Sequence, residues 1–246
     1  MTEARIRDAQ RTRQLLLDAA ERLFAERGVD GTSTDEIARA SGVNKAMINY
    51  HFGGKDGLYT AIVSDLLETA LGELEALPAA PLSGEAKLRE FVRVFARAHG
   101  ARTSVSSMIL REVMAGGRRM EEPFRLRFLR VFRVLSEILA QGNREGSFRP
   151  VATIEAHLAM MGALTFFFAT RQFRERMLTE GKLPFSPISA EEYVAFLEEL
   201  VTRGLAPSPS ISPTPKRKPA ARAKSVARSS KPTRTQTKSS PRRTPR

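Results

Sequence analysis

The spacing of apolar residues is helical along most of the first 205 positions: they recur at intervals of three and four, as an amphipathic helix requires. The first such stretch runs from Gln10 to Arg27 and ends at Gly28, a residue suited to the left-handed end of a helix. Further helices are predicted after Ser33, from Lys45 to about His51, from Lys55 to about Leu77, and at 85–101, 103–116, 122–145, 152–180 and 190–203. No stretch alternates polar and apolar residues as a half-buried strand does. The sequence therefore predicts an all-α fold of about nine helices.

Two of the predicted helices are short and are separated only by the turn 41–43, which contains Gly42. Ser33 and Glu36 fit a capping box at the start of the first, and Asn44 is a suitable cap for the second. Two short helices joined by such a turn and packed on a longer first helix form a helix-turn-helix. In this arrangement Ile48 and Phe52 are expected to face the interior.

The second short helix then presents Lys45, Ala46, Met47, Asn49 and Tyr50 on its outer face. Lys45 suits guanine acceptors or phosphate, and Asn49 suits a bidentate contact with adenine. Ala46 and Met47 offer apolar surface to a thymine methyl group. These residue types predict an interface with the major groove of DNA.

Lys55 opens the next helix, where a cation opposes the helix dipole at a cost of about 0.3 kcal/mol. A phosphate docked at the backbone N–H groups of the Gly53-Gly54 start explains this placement. Tyr50 and His51 come just before it and carry donors for backbone oxygens of DNA. The alternative interpretation is that all three are ordinary surface residues.

The run T-x-x-I-A-x-x-[SA]-G-V, then a short helix ending in Y-H-F, then K-x-x-L, resembles the DNA-binding head of the TetR/AcrR repressor family. This chain carries it from Thr34 to Val43 and from Tyr50 to Leu58, and the resemblance extends over about residues 10 to 60. One departure is Asn49, where the family most often has tyrosine. The resemblance implies base or near-base contacts for Lys45, Ala46, Met47 and Asn49, and backbone contacts for Thr34, Tyr50, His51 and Lys55.

Charge is distributed unevenly. The net charge of +13 comes from 40 Lys and Arg against 27 Asp and Glu, but 12 of the basic residues and no acidic ones follow Leu205. This tail also holds 8 of the 14 prolines and almost no large apolar side chain, which is typical of disordered, polyanion-binding segments. We therefore predict a disordered basic tail at 206–246. The family resemblance implies a DNA-binding head at 1–60 and a helical effector-binding and dimerisation domain at 61–205.

The sequence of the middle domain gives a less specific signal of function. Phenylalanine and methionine side chains recur at helical spacing on its three middle helices: Phe91, Phe95, Met108, Met114, Phe124, Phe128 and Phe132. Most of these residues are expected to belong to the hydrophobic core, and a subset of them is predicted to line an apolar effector pocket. The segment from Ala156 to Phe173 is apolar on more than one face, so it needs cover from two sides. In the family that the chain resembles, the penultimate and last helices commonly pair across a dimer axis, which predicts a homodimer interface here. The alternative is a purely internal core. His99, Glu112 and His157 are interpreted as structural.

These features favour a ligand-responsive regulator, in particular a repressor, that binds double-stranded palindromic DNA as a dimer and responds to an apolar or aromatic effector. The alternative is an architectural DNA-compacting protein dominated by its tail. The chain has no cysteine, three scattered histidines, no nucleophile–base pair and no phosphate-binding glycine loop, so we expect no metal, no cofactor and no enzyme activity. The longest uncharged run is 15 residues, which predicts a cytoplasmic protein that does not cross a membrane.

Overall fold

A computed structural model describes residues 2–120, 122–181 and 186–207. Within this part of the chain there are ten α-helices and no strand, which confirms the all-α prediction. They are α1 Thr2–Arg27, α2 Thr34–Ser41, α3 Ala46–Phe52, α4 Lys55–Leu74, α5 Gly84–Ala101, α6 Thr103–Met114, α7 Glu122–Arg144, α8 Thr153–Ala169, α9 Arg171–Thr179 and α10 Ala190–Leu205, with a short 3₁₀ turn at Leu77–Ala79. Most of the predicted tail, 208–246, lies outside the described residues.

Two glycines that end helices adopt the left-handed backbone conformation. Gly28 has φ +76° and follows α1, as predicted, while Gly42 has φ +69° and closes α2. A side chain at either position would strain the backbone, because L-residues rarely adopt positive φ. The sharp turn between α2 and α3 therefore depends on Gly42.

The tenth helix arises from a break that the sequence did not predict. The segment expected as one helix, 152–180, divides at Thr170 into α8 and α9, which meet at a bend of 50°. The Thr170 hydroxyl donates to the Phe166 carbonyl (2.7 Å), and the Arg174 guanidinium donates to the Phe167 carbonyl. Side-chain donors that occupy backbone carbonyls in this way are a recognised cause of helix bending.

The core is continuous from α1 to α10. Residues 1–209 form one compact unit, in which α4 and α5 pack on α7, α6 packs on α8, and α10 packs on α5. The predicted boundary after residue 60 falls inside α4, so a single helix runs from the head into the rest of the unit. The division into domains stays a prediction.

No single helix in the described ranges is both long and apolar enough to cross a membrane; α8 and α9 meet that test only as a bent pair.

Candidate nucleic-acid interface and effector pocket

The capping box that starts α2 is present as predicted. The Glu36 backbone N–H donates to Ser33 Oγ (3.2 Å), and the Ser33 N–H donates to the Glu36 carboxylate (2.8 Å). The Ser33 backbone N–H is the main cause of the lowered pKa of Glu36. Ile37 and Ile48 are completely buried, so α2 and α3 are both anchored on the core beneath them.

The recognition helix α3 begins one residue later than predicted. Asn44 Oδ1 accepts the backbone N–H of Ala46 (2.9 Å), a local bond of the kind that favours helix starts, and α3 ends at Gly53. Ala46, Asn49 and Tyr50 are exposed, and Tyr50 is 77% accessible. Their exposure agrees with the outer face predicted for this helix, and their contact with DNA stays a prediction.

Two side chains of the predicted contact set are less accessible. Met47 is half-buried and packs against the core, so it offers less surface to a base than we expected. His51 is also half-buried, and its ring lies edge-on to Tyr50 with 5.0 Å between centroids. Thr34 is the half-buried first residue of α2.

Lys45 has a partner on the protein surface. Its Nζ lies 2.9 Å from Asp35 Oδ2, and both side chains are more than half exposed. A pair of this kind contributes at most about 1 kcal/mol, so exchange of Asp35 for a phosphate or a guanine acceptor costs little. The interaction holds the Lys45 side chain beside α2.

Lys55 also has a partner in the protein, and this one is a neutral oxygen. Its Nζ donates to the backbone carbonyl of Thr32 (2.9 Å), and Thr32 Oγ1 donates to the Gly28 carbonyl (2.8 Å). The cation in the first turn of α4 therefore stabilises the loop between α1 and α2. An ammonium group has three donors, so this bond leaves capacity for a phosphate.

Arg13 contributes from α1. Its guanidinium carbon lies 5.4 Å from the centre of the Phe52 ring, the last residue of α3. A cation over an aromatic face at this distance is attractive. The contact fixes the end of the recognition helix against α1.

Arg119 was not identified from the sequence, although it joins the head to the rest of the unit. It lies between α6 and α7, and its side chain is only 16% exposed. Its Nε donates to Asp56 in the first turn of α4 (2.8 Å), and its other nitrogens contact Asp30 and buried Glu112. The hydrogen bond to Asp56 is the main cause of the raised pKa of Arg119.

The predicted effector pocket needs correction. Phe91, Phe95 and Met108 are buried in the core. Phe124, Phe128 and Phe132 stack along α7, with neighbouring ring centres 6.5 and 6.1 Å apart. Met114 ends α6 with 82% of its surface exposed, so the prediction that it lines a pocket is wrong.

A large cleft lies elsewhere, between α5, α8, α9 and α10. Its volume is 870 Å³, and none of the seven predicted pocket residues lines it. Phe168 forms part of its wall and stacks at 8° on His99, whose Nδ1 lies 2.7 Å from Ser106 Oγ in α6. Burial lowers the pKa of His99 to about 4, in keeping with a neutral, structural histidine.

Two family models match the chain over most of the described residues. Residues 16–62 match the family described as bacterial regulatory proteins, tetR family, and residues 85–201 match the tetracyclin repressor-like C-terminal domain. The chain belongs to the TetR family. It is thus a DNA-binding transcription regulator, and the proteins of this family are regulators and not enzymes.

Individual relatives agree with the family models, since they are regulators with the same type of DNA-binding motif. The HTH-type transcriptional regulator AcrR of Shigella flexneri is 46% identical over 81 residues, which are 31% of this chain and 37% of AcrR. The match thus spans little more than a third of that relative. The HTH-type transcriptional repressor NicS of Pseudomonas putida is 25% identical over 207 residues, 83% of this chain and 97% of NicS.

A solved TetR-family structure has the same architecture. The regulator PfmR from Thermus thermophilus is 26% identical and superposes with a TM-score of 0.61, covering 78% of this chain and 99% of PfmR. The resemblance noted at the helix-turn-helix is therefore confirmed and extends through the C-terminal helices. The roles of individual DNA-contacting residues stay predictions. Among the described residues, no group of three or more His, Asp or Glu is placed to hold a metal ion.

Proposed function

We propose that this TetR-family protein is a ligand-responsive repressor that binds a palindromic operator as a homodimer. The observation that carries the proposal is the recognition helix α3, whose exposed Asn49 and Tyr50 stand on a helix anchored by buried Ile48. One such helix reads only a few base pairs, so a useful operator needs two half-sites about one helical turn or more apart. The name of NicS supports repression, since that relative is a transcriptional repressor.

We place the dimer interface on α8 and α10. Helix α8 leaves Ile154, Leu158 and Phe166 exposed at multiples of four residues, and Gly162 stands within this series with open space around it. Helix α10, which contacts α8, leaves Phe196 and Leu200 exposed. An apolar surface on two adjacent helices favours a two-fold partner that buries the same surface of its own.

The effector acts in this proposal by preferring one separation of the two heads. A ligand lowers operator affinity only if it binds more tightly to the dimer whose heads do not match the spacing of the half-sites than to the dimer whose heads do. A coupling of about 1–3 kcal/mol changes operator affinity by about 5- to 150-fold. We place this ligand in the cleft between α5, α8, α9 and α10, because its 870 Å³ lie within the range of known ligand pockets.

Footprinting on DNA that flanks the gene tests the proposal. The full chain is expected to protect a two-fold symmetric site, and so is a chain that ends at residue 205. If removal of 206–246 abolishes nearly all binding, the architectural alternative is favoured. Protection without a preferred sequence in either chain contradicts the repressor.

A further inference from the structure

The cleft between α5, α8, α9 and α10 has one aromatic wall and many charges. Phe167 and Phe168 of α8 face Val194 and Ala195 of α10, with Ala96 of α5 beside them. Four arginines and three glutamates also line it: Arg93, Arg97, Arg171, Arg174, Glu175, Glu191 and Glu198. The chemistry of the cleft therefore depends on which of these charges are already neutralised by a neighbour.

Three of the four arginines have carboxylate partners in the protein. The ion pairs are Arg93 with Glu198 and Glu90, Arg97 with Glu73 and Glu90, and Arg171 with Glu175. Arg93 is held by both oxygens of Glu198, at 2.8 and 2.7 Å, and the Glu198 side chain is 6% exposed. These guanidinium groups are structural.

Arg174 differs from them, because its hydrogen bonds go to neutral acceptors. Its Nη1 donates to the Phe167 carbonyl and to Thr170 Oγ1 (2.7 Å). Its guanidinium carbon lies 4.1 Å from the centre of the Phe167 ring, which in turn stacks on Tyr193 at 4.0 Å and 3°. Within the described ranges no carboxylate forms an ion pair with Arg174, and burial lowers its pKa.

The free edge of this guanidinium is the one that recognises carboxylates. Both hydrogen bonds use Nη1, so Nε and both hydrogens of Nη2 remain available. Nε and Nη2 present two parallel donors that match the two oxygens of a carboxylate. The guanidinium carbon of Arg174 lies over the Phe167 ring, which is itself stacked on Tyr193, so these two rings restrict the movement of the group.

We propose that the cleft binds an organic monoanion with a flat apolar body, and that Arg174 pairs with its carboxylate. The inference rests on the proposed function, in which this cleft is the effector site. A single carboxylate suits the cleft because, among the described residues, Arg174 is the arginine of its lining whose hydrogen bonds go to neutral acceptors and which forms no ion pair. The aromatic wall takes the apolar body, and the Nε–Nη2 edge of Arg174 takes the anionic end.

The back of the cleft provides a route from such a ligand to the DNA-binding head. Phe168 stacks on His99, and His99 is hydrogen-bonded to Ser106 of α6. Near the start of the same helix, Ser104 contacts Glu21 of α1, and Arg102 just before it contacts Glu21 as well. A ligand that displaces Phe168 therefore acts on an element that touches the first helix of the head.

Calorimetric titration of the full chain with two pairs of probes tests the inference: 2-naphthoate with 2-naphthamide, and 4-phenylbutanoate with 4-phenylbutanamide. Each amide keeps the shape of its acid and lacks the charge. We expect at least one acid to bind with a Kd below about 1 mM and about 10-fold more tightly than its amide. If neither acid binds, or if each acid and its amide bind equally, the inference is overturned.

Variants identify the residue. Arg174→Gln is expected to abolish the preference for the acid. The matched control Arg176→Gln removes a guanidinium from the same helix that does not line the cleft, and it is expected to keep the preference. An acid preference that survives Arg174→Gln overturns the assignment. If circular dichroism shows that this variant does not fold, the second variant Ala195→Trp is used, because it fills the cleft and leaves the hydrogen bonds of Arg174 in place. Binding of the acid to Ala195→Trp is expected to disappear. Unchanged binding overturns the inference.

DNA binding without any probe is measured separately on the same proteins. Failure of the unsubstituted chain to find a specific site contradicts the proposed function and leaves the calorimetric result readable by itself. Failure of the acids to bind contradicts this inference and leaves the operator site intact.

Discussion

The ammonium nitrogen of Lys55 lies 2.9 Å from the backbone carbonyl oxygen of Thr32, 23 residues earlier in the chain. The bond joins the first turn of α4 to the loop that leads into α2. It gives a structural reason for a cation at a helix start, where the dipole disfavours it. Lys55 is also a residue for which the sequence predicts a contact with the DNA backbone, so the fold and the predicted contact both depend on this lysine.

Replacing Lys55 is therefore expected to have two effects. Lys55→Met removes the bond to Thr32 and lowers the free energy of unfolding by about 1 kcal/mol. It also weakens binding to all DNA sequences and reduces the slope of log K against log salt by about 1. Urea unfolding and a salt titration measure the two effects. The control is Lys45→Met, which breaks only an exposed pair with Asp35 and is expected to change the unfolding free energy by less than about 0.5 kcal/mol.

Asn49 and Tyr50 are expected to separate specificity from affinity. Asn49→Ala removes a side chain suited to base edges, so it changes which operator variant is preferred by about 10-fold at one position in each half-site. Tyr50→Phe removes a hydroxyl suited to the backbone and weakens binding to every sequence alike. Competition assays against a panel of operator variants distinguish these results. Identical losses for both variants on every sequence argue against the assigned roles.

Arg119 is expected to stabilise the fold as well as to join the head to the rest of the unit. Arg119→Met leaves Glu112, whose side chain is 4% exposed, without its cationic partner, so the free energy of unfolding falls by about 3 kcal/mol. The double variant Glu112→Gln with Arg119→Met is expected to recover part of the loss, because the orphaned charge is gone. Chemical denaturation measures both. The exposed Arg125, paired with Glu122, supplies the control Arg125→Met, for which a comparable loss would contradict the argument.

His99 is expected to make the protein less stable in mild acid. Its pKa is lowered to about 4 in the folded chain from 6.5, so the unfolded chain binds more protons between these values and stability falls as the pH drops through this window. From about pH 7.5 to about pH 5 the loss from this residue is about 2 kcal/mol. His157, also buried with a lowered pKa, acts in the same direction. Subtracting the pH profile of His99→Gln isolates the His99 contribution, and an unchanged profile in that variant rejects it.

The dimer interface is tested by a charge on its exposed apolar series. Phe166, which is 61% exposed in one copy, occurs twice in a two-fold interface. Phe166→Glu is expected to raise the dimer Kd at least about 100-fold, because two large apolar side chains are lost and two charges must be desolvated. Analytical ultracentrifugation measures the change. Leu129→Glu on α7 is the matched control, and an equal effect there places the interface on another face.

Local features of the fold were predictable from the sequence. Ser33 and Glu36 meet across three residues, and the positive φ of Gly28 and Gly42 needs nothing beyond the turn itself, so short-range chemistry decides these positions. The exposure of Asn49 and Tyr50 follows in the same way from the burial of Ile48 on the opposite face.

Features that depend on distant partners were not predictable. Nothing near Arg119 indicates that Asp30 and Asp56 meet it, since those residues lie 89 and 63 positions away. Met114 has the same apolar character as buried Met108, and only the direction of the last turn of α6 exposes it. The break at Thr170 contains neither glycine nor proline, which are the usual sequence signals of a helix break. It depends instead on the hydrogen bond that the Arg174 side chain donates to the Phe167 carbonyl, and the sequence does not reveal this bond.

Helix α4 belongs both to the head and to the remainder of the unit. Its 20 residues, Lys55–Leu74, correspond to a rod of about 30 Å. A tilt of about 10° at one end of such a rod carries the other end through about 5 Å, which exceeds the roughly 3.4 Å rise of one base-pair step. In the proposed dimer, a tilt of this size would therefore displace each recognition helix from its half-site by more than one base-pair step.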